Sequence, residues 1–126
     1  MRMKRTLWMI CGLLVAAAAP AMAGKADVLK VEVTSRPDGL FTFSVTLRHA
    51  DEGWDHYADQ WDVESVDGKT VYGRRVLYHP HVDEQPFARF LSEVKIPEDV
   101  REVNIRARDK RHGYGGVEMR VRLPGR

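Results

Sequence analysis

Residues 41–48 read Phe41-Thr42-Phe43-Ser44-Val45-Thr46-Leu47-Arg48, and this stretch decides the fold. Its odd positions are large and apolar; its even positions are polar. Successive side chains of a strand point to opposite faces, so strict alternation buries one face and wets the other. A helix would scatter the same apolar residues around its circumference. Pro37-Asp38-Gly39 comes just before, with Pro presetting φ and Gly accepting φ > 0, which is the chemistry of a tight turn.

The same period continues on both sides. Leu29, Val31 and Val33 mark a first strand, and Trp61 and Val63 head a third that closes at the hairpin signal Asp67-Gly68. A fourth runs from Thr70 to Tyr78, with Gly73 marking a bulge. A fifth covers Phe87 to Ile96 and stops at Pro97-Glu98-Asp99. Val103, Ile105 and Ala107 mark the sixth; Val117, Met119, Val121 and Leu123 mark the seventh. No helical period competes after residue 23. The pattern predicts an all-β fold: one seven-stranded antiparallel immunoglobulin-like or fibronectin-III-like sandwich over residues 24–126.

The first 23 residues read as a signal peptide. Arg2, Lys4 and Arg5 form a positive n-region, Leu7 to Ala19 an apolar stretch, and Ala21-Met22-Ala23 a small-x-small cleavage pattern. Cleavage is expected after Ala23, sending the chain to the periplasm or outside the cell. Ile10 stands where a small residue should precede a lipidated Cys11. Of the 20 basic and 18 acidic residues, three basic and no acidic ones leave with this segment, so the remainder carries about −1 and not +2. That removes the compositional case for nucleic-acid binding. The mature chain is expected to have no membrane span and to be a monomer. Cys11 is the sole cysteine, so no disulfide is available in an oxidising compartment.

If consecutive strands are antiparallel, successive connections alternate between two poles. Those at 36–39, 66–69 and 97–101 are short turns. Those at 50–58, 80–86 and 110–116 are longer, and they contain or adjoin all five histidines: His49, His56, His79, His81 and His112. They also carry Trp54, Tyr57 and Tyr114. One pole reads as scaffold, the other as a site.

His79-Pro80-His81 places two imidazoles on one face of an extended backbone, stiffened by Pro80. His49 continues the inward parity of Phe41 to Leu47, Asp109 that of Val103 to Ala107, and Asp59 that of Trp61 and Val63. Buried ionisable groups must pair with each other, the backbone or a metal, so an Asp–His hydrogen-bond lattice closing the core is the alternative to ligation. Imidazoles with a carboxylate suit Zn(II) or Cu(II). The expected ligands are His79 and His81 first, then His56, His112 and His49, with Asp55 and Asp109 as ligands or their supports. Calcium is the lesser option: Asp51, Glu52, Asp55, Asp59, Asp83, Glu84 and Asp109 supply oxygens, but no calcium-loop motif is present. The outward arginines 106, 108, 120 and 122 facing Asp62 and Glu64 read as a solvated ion-pair face.

No nucleophile with a neighbouring base stands out, so no catalytic residue is assigned. The leading expectation is a non-catalytic periplasmic domain that coordinates a divalent transition metal. The alternative is a protein- or glycan-interaction module using Trp54, Tyr57 and Tyr114, with structural histidines. The stretches His79–Phe87 and Arg106–Gly116 resemble those of small exported bacterial proteins without an assigned activity, a resemblance that implies no mechanism.

Overall fold

The computed structural model describes residues 24–126; the signal-peptide expectation, with Cys11 and the cleavage pattern, falls on residues 1–23, outside the described residues. Seven strands form: β1 (Asp27–Ser35), β2 (Leu40–Arg48), β3 (Ala58–Glu64), β4 (Val71–Val76), β5 (Phe87–Lys95), β6 (Glu102–Asp109) and β7 (Met119–Arg122). They build two antiparallel sheets, β1-β2-β5 and β4-β3-β6-β7. The all-β expectation therefore holds. β4 pairs with β3 and not with β5, unlike the constant-type immunoglobulin order, whose fourth strand extends the first sheet. Among the described residues no helix is long and apolar enough to cross a membrane.

Alternation in β2 becomes burial. Phe41, Phe43, Val45 and Leu47 pack against Trp61, Val63, Val103, Ile105 and Ala107 of the facing sheet, all of them buried. Each of the larger aliphatic and phenyl side chains removed from water contributes about 1.5–3 kcal/mol. Where β4 crosses near β5, Gly73 leaves the room: a Cβ there would lie 2.8 Å from Leu91 Cδ2. The register slips beside it, between the pairs Val63↔Gly73 and Glu64↔Val71.

A second irregularity corrects a sequence expectation. The pairings Ala58↔Asp109 and Gln60↔Arg108 leave Asp59 as an extra residue on β3. This bulge inverts the local parity, so Ala58 turns inward in place of Asp59. Asp59 instead meets Arg108 at 3.2 Å.

The histidine-bearing connections do converge. Lys110 N–H donates to the Tyr57 carbonyl, and Leu77 N–H to the Asp59 carbonyl. Asp51, between β2 and β3, accepts the backbone N–H of His81, between β4 and β5, at 2.6 Å. The segment before β1 also reaches this pole, where the Gly24 carbonyl meets His49 and His56.

Candidate metal centre

Inward parity at the end of β2 buries His49, and the same parity at the end of β6 buries Asp109 completely. His49 Nε2 lies 3.2 Å from Asp109 Oδ2 and 3.3 Å from the Gly24 carbonyl oxygen. The loop after β2 returns His56 to the same point. Its Nε2 lies 3.1 Å from the Gly24 oxygen and 3.5 Å from Asp109 Oδ2. One ligand atom from each of His49, His56 and Asp109 falls within 4.8 Å of the others.

The opposite ring nitrogens are equally constrained. His49 Nδ1 is 2.5 Å from Asp51 Oδ1, and His56 Nδ1 is 2.7 Å from Glu52 Oε1. Ionised carboxylates only accept, so each Nδ1 carries a proton and each Nε2 points at acceptors alone. Two lone pairs facing a carboxylate and a carbonyl are repulsive unless a cation lies between them. That cation is either a proton on each Nε2 or a shared metal ion.

The spacing suits a metal. Four tetrahedral ligands at about 2.0–2.1 Å from zinc stand about 3.3–3.4 Å apart. With Gly24 O as the fourth donor, four of the six donor–donor distances span 3.1–3.5 Å, and the three side-chain ligand atoms lie within 4.8 Å of one another, so the ion would draw the donors together. Carboxylates on the far nitrogens fix tautomer and ring orientation, as is usual behind metal-ligating histidines. His49, His56 and Asp109 are thus a buried group that could hold a metal.

Protonation shifts follow the same geometry. Burial opposes charge on His49, but the Asp51 hydrogen bond and charge, the Gly24 carbonyl and Asp109 outweigh it and raise its pKa. The Glu52 hydrogen bond raises His56 against a smaller opposing effect of burial. Burial pushes Asp109 up, but N–H donors of His112 and Arg111 and the His49 charge bring it below the ordinary carboxylate range. Asp51 is lowered in the same way: burial is outweighed by His49 and by the N–H groups of His81 and Ala58.

The remaining sequence candidates are placed differently. His112 is exposed and adjoins the group: its Nδ1 meets Asp109 Oδ2 at 3.2 Å, and its ring centroid lies 4.8 Å from that of His56. His81 is buried but stacks on Phe87 at 3.9 Å, with its Nε2 accepting from Arg89 at 2.8 Å. Burial, then the charge of Arg89, keeps His81 neutral. A metal on that Nε2 would meet a guanidinium. His79 is exposed, its ring 4.6 Å from that of His81. Asp55 is exposed and is not among the converging residues. The structure therefore brings together His49, His56, His112 and Asp109, and sets the His79–His81 pair apart from them, linked through Asp51 and through Gln85, which accepts from the His49 N–H and donates to the His81 carbonyl.

Trp54 is 62% exposed and lies edge-on to the buried Tyr57, with ring centroids 5.9 Å apart. Tyr114 folds back on the β3–β6 face: its hydroxyl donates to Asp62 at 2.5 Å, and the Arg106 guanidinium lies 3.8 Å from its ring centre. With Arg74 on the other side of Asp62, this roof leaves Asp62 and Glu64 buried. The face read as solvated is covered around Asp62 and Glu64, whereas Arg120 and Arg122 are exposed as expected.

Asp51, Glu52 and Gly24 contact the buried group, and the histidine pattern alone does not point to them as part of it. The acidic pair had been counted only as possible calcium oxygens. Asp51, two residues after an inward histidine, is a usable signal; strand order says nothing of a residue preceding β1.

No protein-family profile and no solved structure matches the chain. A protein of Halomicrobium mukohataei named "Putative lipoprotein" is 42% identical over 97 residues, 77% of this chain. The chain spans about half of that relative, 47% of its length.

Proposed function

We propose that this chain is an exported, non-catalytic binding domain whose loop pole holds a divalent transition metal, Zn(II) or Cu(II), on His49, His56 and Asp109. The observation that carries the reading is the pair of Nε2 atoms facing only acceptors, each with its Nδ1 tied to a carboxylate. Two imidazoles, a carboxylate and a carbonyl oxygen form a borderline donor set that suits these ions. Export is supported by the signal-like first 23 residues and by the lipoprotein name of the Halomicrobium mukohataei relative. This reading moves the ligand assignment from the His79–His81 pair to the buried group.

Metal content of the native protein, with zinc and copper titrations of His56→Ala, Asp109→Asn and His79→Ala/His81→Ala variants, tests it. Wild type and the His79/His81 variant should bind at micromolar or better affinity, with at least a hundredfold loss in the other two. Absence of binding by wild type would remove the function. Loss in the His79/His81 variant alone would return the site to that pair.

One observation favours a second reading, an immunoglobulin-like module for a protein or glycan. A recess of about 480 Å³ beside the exposed Trp54 is lined by His79, Val82, Asp83 and Glu84. An aromatic ring beside the Asp83 carboxylate and Glu84, which also meets Arg89 at 3.3 Å, suits a sugar or a cationic side chain. Metal-independent binding of a periplasmic partner, abolished by Trp54→Ala, would establish it.

A further inference from the structure

Three imidazoles surround Gly24. Its carbonyl oxygen meets His49 and His56, and a Cβ at this position would lie 2.5 Å from His112 Cε1. Its φ of +91° is a conformation that residues with a side chain rarely adopt. Only glycine fits here, for reasons of space and of backbone. Gly24 is also the residue that directly follows Ala21-Met22-Ala23, the cleavage pattern read in the sequence.

We infer that cleavage of the Ala23–Gly24 bond creates a ligand of the metal centre: the free α-amino group of Gly24, which together with its own carbonyl oxygen chelates the ion held by His49, His56 and Asp109. This rests on the metal centre proposed above. The cleavage is a hydrolysis by an export peptidase. The C–N bond between Ala23 and Gly24 breaks, water supplies hydroxyl to the Ala23 carbonyl carbon, and a proton goes to the Gly24 nitrogen.

Before cleavage that nitrogen is an amide, its lone pair delocalised into the carbonyl, and it is a poor donor. Afterwards it is an amine and offers a localised lone pair. Metal, nitrogen, Cα, carbonyl carbon and oxygen then close a five-membered ring. The oxygen of that ring already stands at ligand spacing from both imidazoles.

Two consequences follow. The donor set gains a third nitrogen, which favours Cu(II) among the first-row divalent ions. The uncleaved chain lacks that donor, so high affinity arises only after export. Loading is thereby tied to the compartment in which the signal peptide has been removed.

The test begins with the intact mass of the exported protein, which should correspond to Gly24–Arg126. Copper(II) affinity is then compared between that protein and a chain that retains Ala23, and should be at least tenfold weaker in the extended chain. Electron paramagnetic resonance of the Cu(II) protein made with ¹⁵N-glycine separates ligation from crowding. Amine ligation changes the nitrogen superhyperfine pattern, because no other glycine nitrogen should ligate the ion. A different amino terminus, equal affinities or an unchanged pattern each overturns the inference. If both chains bind equally and His56→Ala abolishes binding in both, the metal centre stands and the amine's role falls. If neither binds, both fall.

Discussion

Replacing Asp109 tests the site as a structural element before any metal is added. Its carboxylate is fully buried. Oδ1 accepts the backbone N–H groups of Arg111 (2.8 Å) and His112, and Oδ2 faces Nε2 of His49 at 3.2 Å and Nδ1 of His112 at 3.2 Å. Asp109→Ala leaves two backbone donors without an acceptor and His49 without its second carboxylate. An unsatisfied buried donor costs about 1–3 kcal/mol, and removing one partner of a buried ion pair about 3–5 kcal/mol. These effects overlap, so a loss of about 3–5 kcal/mol is expected from a domain whose total stability is of order 5–15 kcal/mol. Asp109→Asn keeps an oxygen for the two N–H groups and loses only the charge, so about 1.5–3 kcal/mol is expected, the scale of one charged hydrogen bond. Urea unfolding followed by tryptophan fluorescence reads both. The ordering Ala well below Asn, with unchanged m-values, is the prediction. Equal losses below about 1 kcal/mol would show that this carboxylate does not hold the pole together.

Other outcomes can be measured on the same protein. Without metal, the raised pKa values of His49 and His56 mean that their contribution is present below about 6.5, the ordinary histidine value, and is lost as pH rises through the folded values. The lowered Asp51 and Asp109 contribute above about 3.8, the ordinary aspartate value, and that contribution is lost as pH falls. Metal-free protein should therefore unfold at its highest temperature between those limits. Saturating zinc should abolish the alkaline decline, because the ion replaces the protons on both Nε2 atoms; a decline unaffected by zinc would contradict this. Tyr114→Phe removes the hydroxyl that donates to the buried Asp62 and should cost about 1–3 kcal/mol with metal affinity unchanged. Gly116→Ala would place a Cβ against the Ala26 carbonyl oxygen and 2.7 Å from Asp27 Oδ1. Backbone cannot yield there, so a loss of about 1–3 kcal/mol should appear in thermal unfolding, and a neutral result would refute that packing.

Much of the architecture was legible because period-two alternation is local. Phe41, Phe43, Val45 and Leu47 announced β2, and extending their parity by one step put His49 inside, where it lies. What failed depended on pairing. The bulge at Asp59 shows only when β3 is laid against β6, and it turns Ala58 inward instead. Asp62 and Glu64 were read as wet because parity gives a face but not its cover, here Arg106 and Tyr114. The site was legible as a pole and not as a ligand set. His79-Pro80-His81 is conspicuous in sequence, yet Phe87 and Arg89 of the next strand occupy the ring and the nitrogen of His81. Gly24 carries no signal beyond its place after a cleavage pattern, and only the fold brings it to the imidazoles.

The most direct test of the account is the position of a metal ion in crystals of the protein grown with zinc and measured at the zinc absorption edge. The account predicts one strong anomalous peak about 2.0–2.2 Å from Nε2 of His49, Nε2 of His56 and Oδ2 of Asp109. A peak seated on His79 and His81, or no peak at this pole at saturating zinc, would contradict it.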